Sequence, residues 1–220
     1  MCVKRRVLVD HLGVAMSPVP LVTIVTPTWQ RHELLLGRCI PSVQKQGHPR
    51  LEHLVISDGP DQALLARLAS PWLKGWRSVY YRELAGHDPE SHYGHHARAY
   101  GCEIAQGDYI TYCDDDDALR PEHCHMLAAA LDANPGAGFA VSRMVSHGPH
   151  GESVIGLGPV ACGNVGTPMI MHRPELLDVA GWDHAGQFED WDLVWAWMQA
   201  GIEHVRVDAE TSDVWPSAYR

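Results

Sequence analysis

The chain lacks several features that would settle its class at once. It has no C-x-x-C pair: Cys2, Cys39, Cys102, Cys113, Cys124 and Cys162 are scattered along it. That usage argues against a disulfide framework and reads as small buried hydrophobes in a reducing compartment. It has no apolar run approaching the length of a membrane span, so no spanning helix is expected. It is short of basic charge, with 17 Lys and Arg against 27 Asp and Glu and a formal net charge of −10. A broad nucleic-acid surface needs the opposite balance. No internal repeat, linker or low-complexity tract divides the sequence. Residues 1–20 carry an early basic cluster, but Asp10 and His11 interrupt their apolar stretch, which argues against a secretory signal. We read 1–20 as a loose N-terminal tail, with Met16 as an alternative start, and 21–220 as one domain in the cytoplasm.

What is present suffices for a real core: 220 residues, 45% of them apolar. Histidine is abundant at 15. The groups His123-Cys124-His125 and His92 with His95-His96 hint at zinc, but neither spacing matches a four-ligand site.

Strands and helices alternate through the first 145 residues. Leu21–Thr26 is a short β-rich run ended by Pro27, and Leu51–Ser57 is a second strand closed by Asp58-Gly59-Pro60. Ser78–Arg82 is a weaker third, and Tyr109–Cys113 a fourth. Helical patterns fill Arg31–Gln46, where Pro41 predicts a kink or break, and also Asp61–Ala69, Tyr93–Ala105 and Pro121–Asn134. Beyond these come a strand over Phe139–Ser146 and a loop or hairpin over His147–Gly163. Val165–Met171 then reads as a strand, Pro174–Ala180 as a short helix, Glu189–Ala200 as a Trp-rich helix and Val205–Val207 as a last strand. Such alternation predicts an α/β fold with a mostly parallel central sheet flanked by helices.

The chemistry concentrates where strands end. Tyr109–Cys113 runs straight into Asp114-Asp115-Asp116-Asp117. Adjacent carboxylates repel one another and resist burial without a counter-charge. Hard carboxylate oxygens suit Mg²⁺ or Mn²⁺, whose open positions substrate phosphates commonly fill. The first strand exits into Pro27-Thr28-Trp29 and the second into Asp58-Gly59. In open α/β sheets, ligands gather at the carboxyl ends of strands. A stacking aromatic, a lone carboxylate able to accept from base N–H groups, and a metal-holding cluster together suit a nucleoside diphosphate.

In order, Pro27-Thr28-Trp29, Asp58-Gly59, Ala97-Arg98, Gly107-Asp108-Tyr109-Ile110, Asp114–Asp117, Gly181-Trp182-Asp183 and Glu189-Asp190-Trp191-Asp192-Leu193 resemble the motif series of the family 2 glycosyltransferases of the GT-A fold. The resemblance covers roughly residues 21 to 207. It implies a GT-A-like fold and a metal-dependent inverting transferase that moves a sugar from a nucleotide-diphosphate sugar, with UDP the expected carrier, to an acceptor hydroxyl. The acceptor class, whether glycan, small molecule or protein, is left open. It further implies a nucleotide-binding part over 21–145 and an acceptor-side part over 146–220.

Residue by residue, the resemblance makes Trp29 the stacking aromatic, with Pro27 and Thr28 beside it, and Asp58 the base-binding carboxylate. It places Arg98 near the diphosphate, Asp114 and Asp115 on the donor, and Asp116 on the metal, with Asp114 near the ribose or a metal-bound water. Asp117 orients the others. Asp190 is the implied general base, with Glu189 beside it. The crowding of Glu189, Asp190 and Asp192 at one helix start favours a raised carboxyl pKa, which suits a base. The sequence departs from the family at Ala99, where Asn is usual, and after His204, where no late histidine follows as a further metal ligand. Asp213 is the candidate substitute. Two rival readings are a nucleotidyltransferase, which the glycine-poor segment Pro27–His32 disfavours, and a non-catalytic nucleotide-sugar-binding protein of the same fold. Trp191, Trp195 and Trp197 read mainly as core, with Trp182 and Trp191 as candidates for sugar stacking.

Overall fold

A computed structural model describes residues 8–9, 15–16, 19–69, 79–87, 94–182 and 189–215. Of the tail it shows only the backbone of two short strands, Leu8–Val9 and Ala15–Met16, paired antiparallel. Residues 1–7, 10–14, 17 and 18 of the tail, Asp183 and His92 lie outside the described residues, and of Glu189 only the backbone is described.

The main sheet is built from nine strands. In chain order these are β1 (Val22–Thr28), β2 (Leu51–Ser57), β3 (Val79–Glu83), β4 (Tyr109–Tyr112) and β5 (Ala118–Leu119). They are followed by β6 (Ala137–Gly148), β7 (Gly151–Ile155), β8 (Ile170–His172) and β9 (Glu203–Val214). Their spatial order is β3-β2-β1-β4-β8-β6-β9-β5, with β7 folded back on β6. β3, β2, β1 and β4 are parallel to one another. β8 lies antiparallel between β4 and β6, and β9 runs parallel to β6. The chain thus winds outward from β1 to β3, then crosses back to place β4 on the other side of β1. That reversal opens a crevice at the carboxyl ends of β1 and β4, where an α/β sheet binds ligands.

Helices cover both faces because the central strands are apolar on both sides. Val25, Ile56, Ile110 and Tyr112 pack with Ala97 and Cys102 of α3 (His95–Ile104) and with Leu193, Val194 and Trp197 of α5 (Glu189–Gln199). Val22, Ile24, Val55 and Cys113 face the other way, onto Leu35 and Ile40 of α1 and Leu127 and Leu131 of α4 (His123–Ala133). α1 joins His32–Leu34, Leu35–Cys39 and Ile40–Gln44; α2 is Gln62–Leu68, capped by Asp61, whose side chain accepts from the Leu64 N–H. The close crossing of α3 over β1 needs Gly101: a Cβ there would sit 2.4 Å from Val25 Cγ1.

Several expectations need correction. β1 does not stop at Pro27 but continues to Thr28. Its pairing with β4 ends at Val25, so the donor that proline lacks is not missed on that side. α1 is not broken at Pro41, because the π-helical turn Leu35–Cys39 widens the helix just ahead of it. The helix expected from Pro121 begins at His123, after the short strand β5. The last strand is far longer than Val205–Val207, extending through polar residues to Val214 along β6. Trp182 is core at 2% exposure, edge-on to Tyr112. Cys39, Cys102, Cys113 and Cys124 are buried free thiols as expected, but Cys162 is exposed. No helix among the described residues is long and apolar enough to cross a membrane.

Three histidines belong to the core. His53 is hydrogen-bonded to Thr26 Oγ1, and His123 to the hydroxyls of Thr111 and Thr211. His172 is hydrogen-bonded to Tyr112 Oη at 2.6 Å and to the Arg173 carbonyl at 2.9 Å. Burial pushes their pKa values down to about 3, about 3 and about 4, so all three are neutral rings.

Candidate active site

The four aspartates form the turn that leaves β4, closed by a hydrogen bond from the Asp117 N–H to the Asp114 carbonyl. They meet the end of β1 directly. Thr28 Oγ1 donates to Asp115 Oδ2 at 2.7 Å. Arg31, just past β1, spans Asp115 Oδ1 at 2.9 Å and Asp116 Oδ2 at 2.5 Å. Arg38 of α1 donates to the Asp116 carbonyl. From the other face of the sheet, Arg98 of α3 donates to Asp114 Oδ1 at 2.6 Å. Asp117 Oδ1 accepts the main-chain N–H of Trp215 at 3.1 Å.

Asp115, Asp116 and Asp117 are buried, and Asp114 is partly open. The guanidinium groups do not balance the cluster. Burial, followed by the charges of Asp114 and Asp116, pushes Asp117 up to about 9. Burial raises Asp115 to about 6 although Arg31 and Thr28 oppose it. A carboxylate set this crowded fits a hard divalent cation, which would offset the mutual repulsion. Among the described residues no three His, Cys, Asp or Glu side chains converge as a ready ligand cage.

The base-side residues come together as well. Asp58, at the end of β2, is 4% exposed. Its Oδ2 is hydrogen-bonded to His87 Nδ1 at 2.9 Å, and its buried Oδ1 has no hydrogen-bond partner among the described residues. Trp29 stacks on the same imidazole, with ring centroids 4.4 Å apart and planes 6° from parallel. Gly59 allows this approach: its φ is +126°, and a Cβ there would lie 2.8 Å from the His87 nitrogen.

Asp190 opens α5 on the other flank of the crevice. Its Oδ1 accepts the Trp191 N–H at 2.7 Å. Burial raises its pKa, opposed by the main-chain N–H of Trp191 and the charge of Arg98 and reinforced by Asp114. Asp190 therefore shares an electrostatic environment with the first aspartate of the cluster.

Asp213 is placed differently from its neighbours. It receives a bidentate pair of bonds from Arg120, both at 2.9 Å, and a third from His147 Nε2 at 2.9 Å. The Arg120 bonds hold its carboxyl below the usual range. To ligate a metal it would have to leave Arg120 and His147. Its neighbour Trp215 is sandwiched, with the His147 ring stacked 4.6 Å away and the Arg38 guanidinium 3.9 Å from its centroid.

Sequence reasoning missed Arg31, Arg38, His87 and Trp215. The signal for the arginines was available: in a chain short of basic charge, two stand within one loop and helix of the first strand's end. His87 lies in the stretch His87–His96, which the sequence puts ahead of the Arg98 helix as a candidate lining of the donor pocket, but its contact with Asp58 and Trp29 is not legible there. Nothing local marks Trp215.

Comparison with known proteins places these observations in a family. The profile described as "Glycosyl transferase family 2" matches residues 23–154, which takes in β1 to β7 and ends before Asp190. The putative colanic acid biosynthesis glycosyl transferase WcaA of Escherichia coli K12 is 29% identical over 122 residues, 52% of this chain and 39% of its own length. An uncharacterised protein of Sinorhizobium fredii, y4gI, is 28% identical over 124 residues, 54% of this chain and 12% of its own. The chain thus spans well under two thirds of these relatives. Among solved structures, S. aureus TarS 1-349 in complex with UDP-GlcNAc superposes with a TM-score of 0.67 at 16% identity, over 91% of this chain and 60% of that one. The mannosyltransferase PcManGT of Pyrobaculum calidifontis, in complex with GDP-Man and Mn²⁺, gives 0.68 at 14% identity over 92% and 59%. Both likenesses establish the fold, which is GT-A.

Proposed function

The chain belongs to glycosyl transferase family 2, and from that premise we propose that it transfers a sugar from a nucleotide-diphosphate sugar to an acceptor hydroxyl, with Mn²⁺ or Mg²⁺ and with inversion at the anomeric carbon. The observation that carries the reading is the meeting of Asp114–Asp117, Arg98 and Asp190 at the carboxyl ends of β1 and β4. The base lies against Trp29 and Asp58, and UDP is the expected carrier. The nucleotide sugars bound by TarS and PcManGT support this class of donor.

Asp116 and Asp114 are the residues that would hold the divalent ion, which supplies Lewis-acid charge against the diphosphate. Arg98 and Arg31 add guanidinium donors beside the leaving group. Asp190 takes the proton of the acceptor hydroxyl as its oxygen bonds to the anomeric carbon and the bond from that carbon to the diphosphate oxygen breaks. A single displacement of this kind needs no enzyme nucleophile and inverts the centre. The pKa of Asp190, raised by burial, makes it a better base than an ordinary carboxylate. Trp191 and Trp195, their rings 5.4 Å apart on α5 with Trp195 46% exposed, form an aromatic wall on the acceptor side.

Calorimetric titration of the full chain with UDP, dTDP, GDP and ADP, each with and without Mn²⁺, tests the reading. Metal-dependent binding of at least one diphosphate is expected. Failure of all four to bind would remove the donor site.

A further inference from the structure

The ring of His87 makes the two contacts that the proposed function assigns to a nucleobase. It lies flat on Trp29, 4.4 Å away and 6° from parallel. Its Nδ1 meets Asp58 Oδ2 at 2.9 Å and lies 3.2 Å from the Asp58 main-chain carbonyl. A flat heterocycle with a ring N–H directed at a buried carboxylate also describes the recognised edge of uracil, thymine or guanine. Resting on the donor-site reading above, we infer that His87 is a built-in competitor for the nucleobase subsite, and that a donor binds only as its base replaces the imidazole on Trp29 and Asp58.

The local architecture supports this assignment. The Leu84 N–H is bonded to the Ser57 carbonyl, so the chain leaving β3 is anchored across the end of β2. Gly59 clears the space that His87 approaches. The side chain is 33% exposed while that of Asp58 is 6% exposed, so the imidazole can leave for solvent and the carboxylate cannot. Among the described residues Asp58 Oδ1 is buried with no hydrogen-bond partner, a cost that a base with a second donor would relieve.

Competition has a quantitative signature. Apparent affinity falls by the fraction of molecules with the subsite open, and the factor is the same for every base. With that fraction at roughly one tenth to one third, His87→Ala should tighten both UDP and GDP, each with Mn²⁺, about three- to tenfold and by a common factor. Inorganic pyrophosphate with Mn²⁺ should bind wild type and variant alike, because it does not reach Trp29. In NMR spectra of the full chain, the His87 Cε1–H resonance, shielded by the Trp29 ring, should move downfield on saturation with UDP and stay in place with pyrophosphate. Weaker UDP binding by His87→Ala, unequal factors for UDP and GDP, or an unmoved resonance at saturating UDP would each overturn the proposal. Asp58→Asn separates it from the reading beneath it. If Asp58→Asn weakens UDP and GDP while His87→Ala does not tighten them, only the competitor falls. If Asp58→Asn changes neither affinity, the base subsite falls with it.

Discussion

Two of the buried sets of ionisable groups in this molecule are treated in opposite ways. His53 and His172 on strands and His123 at the start of α4 have hydroxyl or carbonyl partners and are held neutral. Asp114–Asp117 sit at the rim, where burial raises Asp115 against the pull of Arg31 and, with the charges of Asp114 and Asp116, raises Asp117. The histidines meet burial by giving up their proton. A carboxyl can become neutral only by keeping its proton, and on the proposed function the charge that the fold leaves unresolved is the place for an external cation and phosphates. Acceptance of burial by itself is therefore no sign of function. The mode of compensation is.

The strongest way to break this contrast is to alter the rim and look for lost chemistry with an intact fold. Asp190→Asn should lower turnover roughly a hundred- to ten-thousandfold while nucleotide affinity, read by calorimetry, is kept; undiminished turnover would remove Asp190 as base. Asp116→Ala should weaken Mn²⁺-dependent UDP binding at least about tenfold, ~1.4 kcal/mol. Metal dependence identical to wild type would contradict its role as ligand.

The histidine side is sharpened by pH. The pKa of His123 is about 3 folded, below its ordinary value of 6.5, so the unfolded chain holds the extra proton between them. Its contribution to stability is full above about pH 6.5 and is lost as pH falls toward 3. The stability difference between wild type and His123→Asn, from urea melts, should accordingly shrink by about 2 kcal/mol between pH 7 and pH 5. A constant difference would mean the ring is not neutral by burial. The smallest effect has the opposite sign. Asp117→Asn replaces a carboxyl whose ionisation burial and neighbours disfavour but keeps the oxygen that accepts from Trp215. It should raise stability by about 1 kcal/mol at neutral pH while weakening UDP binding. A variant that loses both would show that the charge serves the fold.

Much of this contrast was legible in the residues. Every strand from β1 to β4 is marked by a β-branched or aromatic run, and the exits of β1, β2 and β4 by Pro-Thr-Trp, Asp-Gly and the aspartates. The crevice followed from strand alternation. What was not legible depends on pairs far apart in sequence. Arg31 reaches Asp115 across 84 residues, and Trp215 reaches Asp117 across 98. The length of β9 was hidden because strand propensity reads the side chain, whereas Glu210, Ser212 and Asp213 are held in the ladder by the backbone pairing with β6. Pro27 misled because a proline stops a strand only where a neighbour needs its N–H.

The bond from the Trp215 N–H to Asp117, and that from the Arg120 N–H to the Thr211 carbonyl at 2.8 Å, tie the carboxylate turn to the far end of β9. The turn is synthesised about ninety residues before that strand. On the ribosome, the early sheet can therefore form with its acidic rim exposed and unclamped. On the proposed function, competence to hold a nucleotide arrives late, when β9 docks along β6. A truncated or stalled chain would expose a cluster of negative charge without acquiring the grip that makes it useful, and that separates folding from activation in time.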